Sequence, residues 1–398
     1  MAGSKPHIIL VGGDGHPSGV PRHITDLARI LQDMARITVI SEPDQGGFGE
    51  LERLGIRHIS VPGLSSSMHP LQLRQGWRTL KILLASEPAD IVWLHARLPV
   101  ILGRHALANG VWQPPDSTRI AVTYHGLPFG QGHKPWAAKA SQWLEKRLLS
   151  RCPSLDLVFL TEAHADSMAR MIGPAMAKHG THVLGNTSHL GPLPEDVGRP
   201  EGRHIVMTAR CGWQKNYESA LRLFRALPKD VTLSLSGRGT DSPRFRAHAM
   251  RLAGDAAPRL RCLGSLPDVR HLLACADGYM LTSRYEGQPI GVLEACEAGL
   301  PIILSGFEGS DALLQDHPMG LRLTQSDVDR DAAGVDALLT RYLSDRAEYE
   351  KDIRAHWTNR WSPAMFKNDV RSLVAKWLLQ APHPENRVRA MSSHPGSA

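Results

Sequence analysis

Cysteine is scarce and unpatterned. The five thiols, Cys152, Cys211, Cys262, Cys275 and Cys296, are odd in number and show neither a C-x-x-C pair nor zinc-finger spacing. A disulfide framework and a cysteine-held structural metal are thereby excluded, and a reducing, cytoplasmic setting is expected. Also missing is any run near the ~20 consecutive apolar residues that span a bilayer. The amino terminus passes from Met1-Ala2-Gly3-Ser4-Lys5-Pro6 into the strand-like Ile8-Ile9-Leu10-Val11, without a secretory apolar region or small-residue cleavage site. No helix-turn-helix, RNP-type or Cys/His finger pattern occurs, so no nucleic-acid partner is expected despite a formal charge of +7. The positive excess is even, 20 Lys and Arg against 16 Asp and Glu in residues 1–200 and 26 against 23 in residues 201–398. No basic arm stands out, and the balance favours anionic company such as phosphates or an acidic lipid surface.

What the chain does have is alternation. Its 398 residues suit two domains better than one. Short apolar runs at His7–Val11, Ile37–Ile40, His58–Val61, Ile91–His95, Ile120–Tyr124 and Leu157–Leu160 read as strands. Helical patterns lie between them at Val20–Gln32, Leu71–Ser86 and Trp136–Leu149. The stretch Leu184–Pro200, rich in Gly, Asn, Ser and Pro, reads as a linker. A second alternation follows, with strands at His204–Ala209, Val231–Ser236, Leu260–Leu263, Gly278–Leu281 and Pro301–Ser305, then helix from about Arg341 to Leu379. The predicted fold is α/β: two doubly wound, Rossmann-like domains facing a cleft, with ligands at the carboxyl ends of the strands. The tail, residues 381–398, is expected to be disordered.

The richest segment runs from Tyr279 to Pro301. A strand ends near Leu281, a loop carries Glu286 and Gly287, and a helix opens behind Gln288 and Pro289. Amides of Ile290 and Gly291 at such a helix start can face an anion. Glu294, four residues past Ile290, lies one turn on along the same side. Two carboxylates flanking an anion cradle suit a ligand with a diphosphate in its middle and hydroxyls at both ends.

Glu286 and Glu294, separated by seven residues and followed by a Gly-Leu-Pro strand entry, resemble the donor-binding signature of retaining glycosyltransferase family 4, of the GT-B fold. Other positions match in order. Arg210 and Lys215, in Met207-Thr-Ala-Arg-Cys-Gly-Trp-Gln-Lys215, resemble the family's Arg…Lys motif and would neutralise a departing diphosphate. Gly237-Arg238-Gly239 resembles a glycine-rich turn lining the cleft, and Ser265 and Leu266 fall in the loop whose backbone contacts the base. His125-Gly126, at a strand end, matches the family's His-Gly beside the donor sugar. Gly19 and Val20 match the loop that approaches the distal phosphate, where Ser18 replaces the family's first glycine.

The resemblance implies a retaining transferase that moves a sugar from a nucleoside-diphosphate donor, UDP- or GDP-linked, to a glycan or lipid-linked acceptor. It implies no cofactor and no metal: the acidic pair Asp327 and Asp329 falls in a late, helical region. Glu286 would hold sugar hydroxyls, Glu294 the ribose and His125 the reacting sugar. Residues 1–190 would form the acceptor-side domain, 191–361 the donor domain, and 362–380 a helix returning to the first domain. The helix Lys134–Leu149 mixes Trp136 and Trp143 with Lys139, Lys146 and Arg147. It suits the anionic inner face of a membrane, which would make the enzyme peripheral there; alternatively Trp136, Ala140, Trp143 and Leu144 pack inward.

Two other classes compete. Gly13-x-Gly15-x-x-Ser18 with Glu42 approximates the fingerprint of an NAD-dependent oxidoreductase, but Pro17 interrupts the turn and Glu42 lies 29 residues past Gly13 rather than about 20. A catalytically silent sugar-nucleotide-binding protein would have little reason to keep Glu286, Glu294, Arg210 and Lys215 together.

Overall fold

A computed structural model of the chain describes residues 5–65, 70–130, 132–195 and 197–380; the tail expected to be disordered, residues 381–398, lies outside the described residues. The chain forms two compact units. One comprises the chain up to Gly130, Lys134–Gly185 and the stretch from Phe366 on. The other comprises Asn186–Met365 together with Gly132 and His133.

In the first unit seven strands, β1 (His7–Val11), β2 (Arg36–Ser41), β3 (Arg57–Ser60), β4 (Ile91–Leu94), β5 (Arg119–Tyr124), β6 (Asp156–Phe159) and β7 (Gly180–Val183), pair in the order β3-β2-β1-β4-β5-β6-β7. All pairings are parallel. The sheet is covered on both faces, which is why its strands read as unbroken apolar runs. Ile9 and Val11 enter one core cluster with Val92 and Leu94. Ile8 and Leu10 enter the opposite one with Ile91 and Trp93. The chain's last helix, Pro363–Leu379, adds Phe366, Val370, Val374 and Trp377 to that second cluster at helical spacing.

Helix Pro135–Arg151 is pinned by a charge pair inside the unit. Arg104 Nη1 and Nη2 donate to both oxygens of Glu145 at 2.5 and 2.9 Å, and the Tyr124 hydroxyl donates to Glu145 at 3.0 Å. Removing either partner would leave a buried charge unpaired, so the pair fixes which face of this helix turns inward. Trp136, Ala140 and Trp143 are on the outward face and Leu144 is half-buried, so the inward-packing alternative for this quartet does not hold.

In the second unit six strands, β8 (Arg203–Thr208), β9 (Val231–Ser236), β10 (Leu260–Gly264), β11 (Gly278–Leu281), β12 (Ile302–Leu304) and β13 (Gly320–Arg322), pair in the order β10-β9-β8-β11-β12-β13. Every pairing is again parallel. Each sheet therefore reverses strand order once, between β1 and β4 and between β8 and β11. In open α/β sheets such switch points are where ligands bind. No helix among the described residues is long and apolar enough to cross a membrane.

Candidate active site

The second unit's switch point brings the Arg…Lys segment beside the first glutamate. After β8, a short 3-10 turn at Trp213–Lys215 ends on Asn216, which takes the left-handed conformation (φ 52°, ψ 48°) that asparagine tolerates better than most residues. After β11, the Thr282 hydroxyl donates to the carbonyls of Lys215 and Asn216 at 3.2 and 3.1 Å. The Arg284 amide donates to the Gln214 carbonyl at 2.8 Å, and its guanidinium donates to the Trp213 carbonyl at 2.6 Å. The two loops thus form one framework. Inside it Lys215 Nζ donates to Glu286 Oε1 at 2.6 Å, the Ser283 hydroxyl to the same oxygen at 2.5 Å, and Gln214 Nε2 to Oε2 at 3.3 Å. Glu286 is 7% exposed, so its charge is held by these donors more than by water. Gln214 and Ser283, which orient it, had no signal in the sequence beyond adjacency to the motifs.

Helix Ile290–Glu297 opens directly behind this framework. Its first backbone bonds run from the Val292 and Leu293 amides to the Pro289 carbonyl, at 3.0 and 3.4 Å. The amides of Ile290 and Gly291 stand ahead of that ladder, at the positive end of the helix. Gly291 is there because nothing larger fits: a Cβ would come within 2.3 Å of the Tyr279 hydroxyl and 2.8 Å of Thr208 Oγ1. Tyr279 Oη in turn lies 3.0 Å from Thr208 Oγ1. Burial above all, with the carboxylates of Glu294 and Glu286 adding, raises the Tyr279 phenol above its ordinary range. The charges of both predicted glutamates are thus felt by one buried tyrosine, and Glu294 is 9% exposed. Gln288 is committed to the frame. Its side-chain oxygen accepts from the Asn186 amide, and its own carbonyl accepts from Asn186 Nδ2 at 2.6 Å.

The remaining second-unit positions share the same sheet edge. Gly237 has φ +140°, and a Cβ there would strike the Ala209 carbonyl at 2.1 Å and the Arg210 nitrogen at 2.9 Å. Its amide donates to the Gly264 carbonyl at 2.7 Å, which ties the Gly237-Arg238 turn to the loop carrying Ser265 and Leu266. Arg210, Arg238 and Ser265 are exposed, while Leu266 and Gly287 are more covered.

In the first unit, helix Gly19–Leu31 starts after Ser18, whose backbone is fully extended (φ −164°, ψ 177°). Any residue adopts that conformation, so the family's glycine is not required there. Gly19 is exposed and Val20 half-buried. Glu42 is not placed as a ribose ligand: its Oε1 accepts from the amides of Gly63 and Ser65, both at 2.8 Å, which caps that loop and removes the dinucleotide reading's acidic residue. His125 follows β5 and is half-buried, with His95 Nδ1 3.3 Å from its Nε2. The His125 imidazole is pushed well below its usual pKa by burial, with His23 adding to the effect. His23 and His95 were passed over in the sequence, although His95 closes the run Ile91–His95 at a strand end.

A family profile described as Glycosyltransferase Family 4 matches residues 17–187, and one described as Glycosyl transferases group 1 matches residues 202–341. The chain is 35% identical over 290 residues to the UDP-Gal:alpha-D-GlcNAc-diphosphoundecaprenol alpha-1,3-galactosyltransferase of Escherichia coli, covering 69% of this chain and 72% of that protein. The chain is a group 1 glycosyltransferase. Its fold is also that of solved GT-B enzymes. Anabaena HepE in complex with UDP-glucose superposes with a TM-score of 0.73 at 16% identity, over 93% of this transferase and 100% of HepE. Sucrose-phosphate synthase from Thermosynechococcus elongatus superposes equally well, 0.73 at 16% identity over 93% and 98% of the two chains. The transferase's motifs thus sit on the fold that the resemblance implied.

Proposed function

We propose that this glycosyltransferase moves a sugar from a nucleoside-diphosphate donor to a hydroxyl of a glycan or lipid-linked acceptor, with retention of configuration and without a divalent metal. The observation that carries this reading is the Lys215–Glu286 pair, held at 2.6 Å, with Glu286 four residues ahead of the start of helix Ile290–Glu297. Lys215 serves two anions, Glu286 and the departing diphosphate, and Arg210 at the exposed end of β8 adds the second cation. The helix start receives the phosphates between them. Glu286 binds the sugar hydroxyls and Glu294 the ribose. Charge that builds on the diphosphate as the sugar becomes oxocarbenium-like is met by groups already in place, so little reorganisation is needed. The name of the E. coli relative supports a UDP-sugar and a diphosphoundecaprenol-linked acceptor, and a GDP-sugar is the alternative donor. An acceptor of that kind fits a peripheral enzyme working at the cytoplasmic face of a membrane.

The test compares two variants under steady-state conditions, using the UDP- or GDP-sugar that most raises the melting temperature. Contacts that tighten only in the transition state act on kcat, whereas uniform contacts act on KM. Glu286→Gln should lower kcat by roughly 10- to 150-fold, the range for losing a charged hydrogen bond of ~1.5–3 kcal/mol, while Glu294→Gln should raise donor KM over a similar range. Near-normal turnover in both would remove this segment from the reaction. Activity lost to EDTA and restored by magnesium or manganese would overturn the metal-free part.

A further inference from the structure

The first unit holds a cluster of three histidines, of which the family resemblance gives only His125 a part in transfer. His23 on helix Gly19–Leu31, His95 after β4 and His125 after β5 meet at that unit's own switch point. Their ring centres form a nearly equilateral triangle of 5.0 Å (His23–His125), 5.5 Å (His95–His125) and 5.6 Å (His23–His95). One ring nitrogen from each lies within 4.8 Å of the other two. Three imidazoles on a tetrahedral Zn²⁺, each nitrogen about 2.0–2.1 Å from the ion, have nitrogens about 3.4 Å apart and ring centres about 5 Å apart. The observed triangle is that size, and the His95–His125 nitrogen separation of 3.3 Å is already that of two ligands on one ion.

The surroundings agree. His95 is fully buried. Trp93 packs against His95 (5.2 Å) and Phe366 against His23 (5.7 Å), a hydrophobic shell of the kind that shields a metal centre from water. His125 is the half-exposed member, so an ion could enter past it and keep a fourth position open there.

We propose that His23, His95 and His125 form a binding site for one borderline divalent transition-metal ion, Zn²⁺ first and Co²⁺ or Ni²⁺ in its place. Three neutral nitrogens and no thiolate suit these ions and disfavour magnesium, calcium and manganese, which prefer oxygen. The ion would tie the first helix to β4 and β5. It is distinct from the phosphate-binding framework of the second unit, and the proposal stands whether or not the transfer reaction assigned above is correct.

The experiment uses the full chain, stripped of metal by a chelating resin. Equilibrium dialysis against Zn²⁺ should return one tightly held ion per chain. Co²⁺ should give the intense visible absorption of a tetrahedral site, and Zn²⁺ should raise the melting temperature where Mg²⁺ does not. His23→Gln and His95→Gln should each weaken Zn²⁺ at least tenfold, whereas His105→Gln, an exposed histidine elsewhere on the unit, should not. The weak absorption of octahedral Co²⁺ in the unsubstituted chain would overturn the site without recourse to any variant. So would a zinc stoichiometry that survives the joined His23→Gln/His95→Gln change.

Discussion

Gly291 is the residue whose side chain matters by not existing. It lets the helix start settle onto Thr208 at the end of β8 and Tyr279 of β11. Gly291→Ala would push a methyl against the Tyr279 hydroxyl, and overpacking of this kind costs ~1–3 kcal/mol. Donor affinity, read by calorimetry with the nucleoside diphosphate, should fall roughly 5- to 150-fold. Joining Tyr279→Phe to it removes the closest clashing atom and should recover part of the loss, a coupling that independent sites would not show. An alanine variant that binds as tightly as the original would mean that the helix start plays no part in holding phosphate. At this scale the sequence was readable where a residue's chemistry is unusual for its place. Two glutamates around a helix start, a lysine before a turn and a histidine at a strand end all stood out. It was silent where the role depends on a distant neighbour. Tyr279 reads as an ordinary strand residue until its hydroxyl is seen at Thr208, and His23 as one more residue on the inner side of a helix until His95 and His125 close around it.

Helix Pro135–Arg151 shows the same division between elements. Its extent was legible from composition within two residues at each end, but its orientation was not, because Arg104, the partner that fixes it, lies 41 positions before Glu145. With Glu145 turned in, Trp136 (72% exposed) and Trp143 (63%) lie outward with Lys139, Lys146 and Arg147, and no acidic side chain interrupts them. A lipid-facing surface of this kind should bind vesicles containing anionic lipid and release them as salt rises, since each basic residue near such a surface contributes about 1 kcal/mol. Trp136→Ala/Trp143→Ala should lower the bound fraction in co-sedimentation at constant salt. Equal recovery in the supernatant with neutral and anionic vesicles would dismiss the surface. The strands β7 and β13 were not anticipated. Both are short edge strands of mixed polarity, Gly-Thr-His-Val and Gly-Leu-Arg, and lack the continuous apolar run that betrays a strand covered on both faces.

For the molecule as a whole, the buried histidines of the second unit tie stability to pH. His317 is driven down to about 3, by burial first and by His356 second, and His204 is lowered by burial. The Met319 amide donates to His317 Nδ1 at 3.1 Å, a contact that requires this nitrogen to be unprotonated. Both groups have folded values below the unfolded value of about 6.5, so below that pH the unfolded chain takes up protons that the folded chain refuses. Their contribution is therefore complete above neutrality and declines as pH falls through 6.5, by about 1.4 kcal/mol per pH unit for each proton. The urea midpoint should drop between pH 7.5 and pH 5, and His317→Gln should shallow that dependence. A midpoint flat across this range would contradict the sign.

The pattern of alternating strands and helices was visible from end to end, yet one consequence of how the chain closes on itself lies outside any static picture. Phe366, Val370, Val374 and Trp377 belong to the core that Ile8 and Leu10 begin, with Trp377 edge-on to Trp93 at 4.9 Å. On the ribosome the earliest residues must therefore wait for the latest. The 180 residues Asn186–Met365 come between, which at ~5–20 residues per second is about 10–40 s during which that hydrophobic face has no lid. The unit that is translated second is the one able to finish first, and the nascent amino-terminal half is the part that would call on a chaperone.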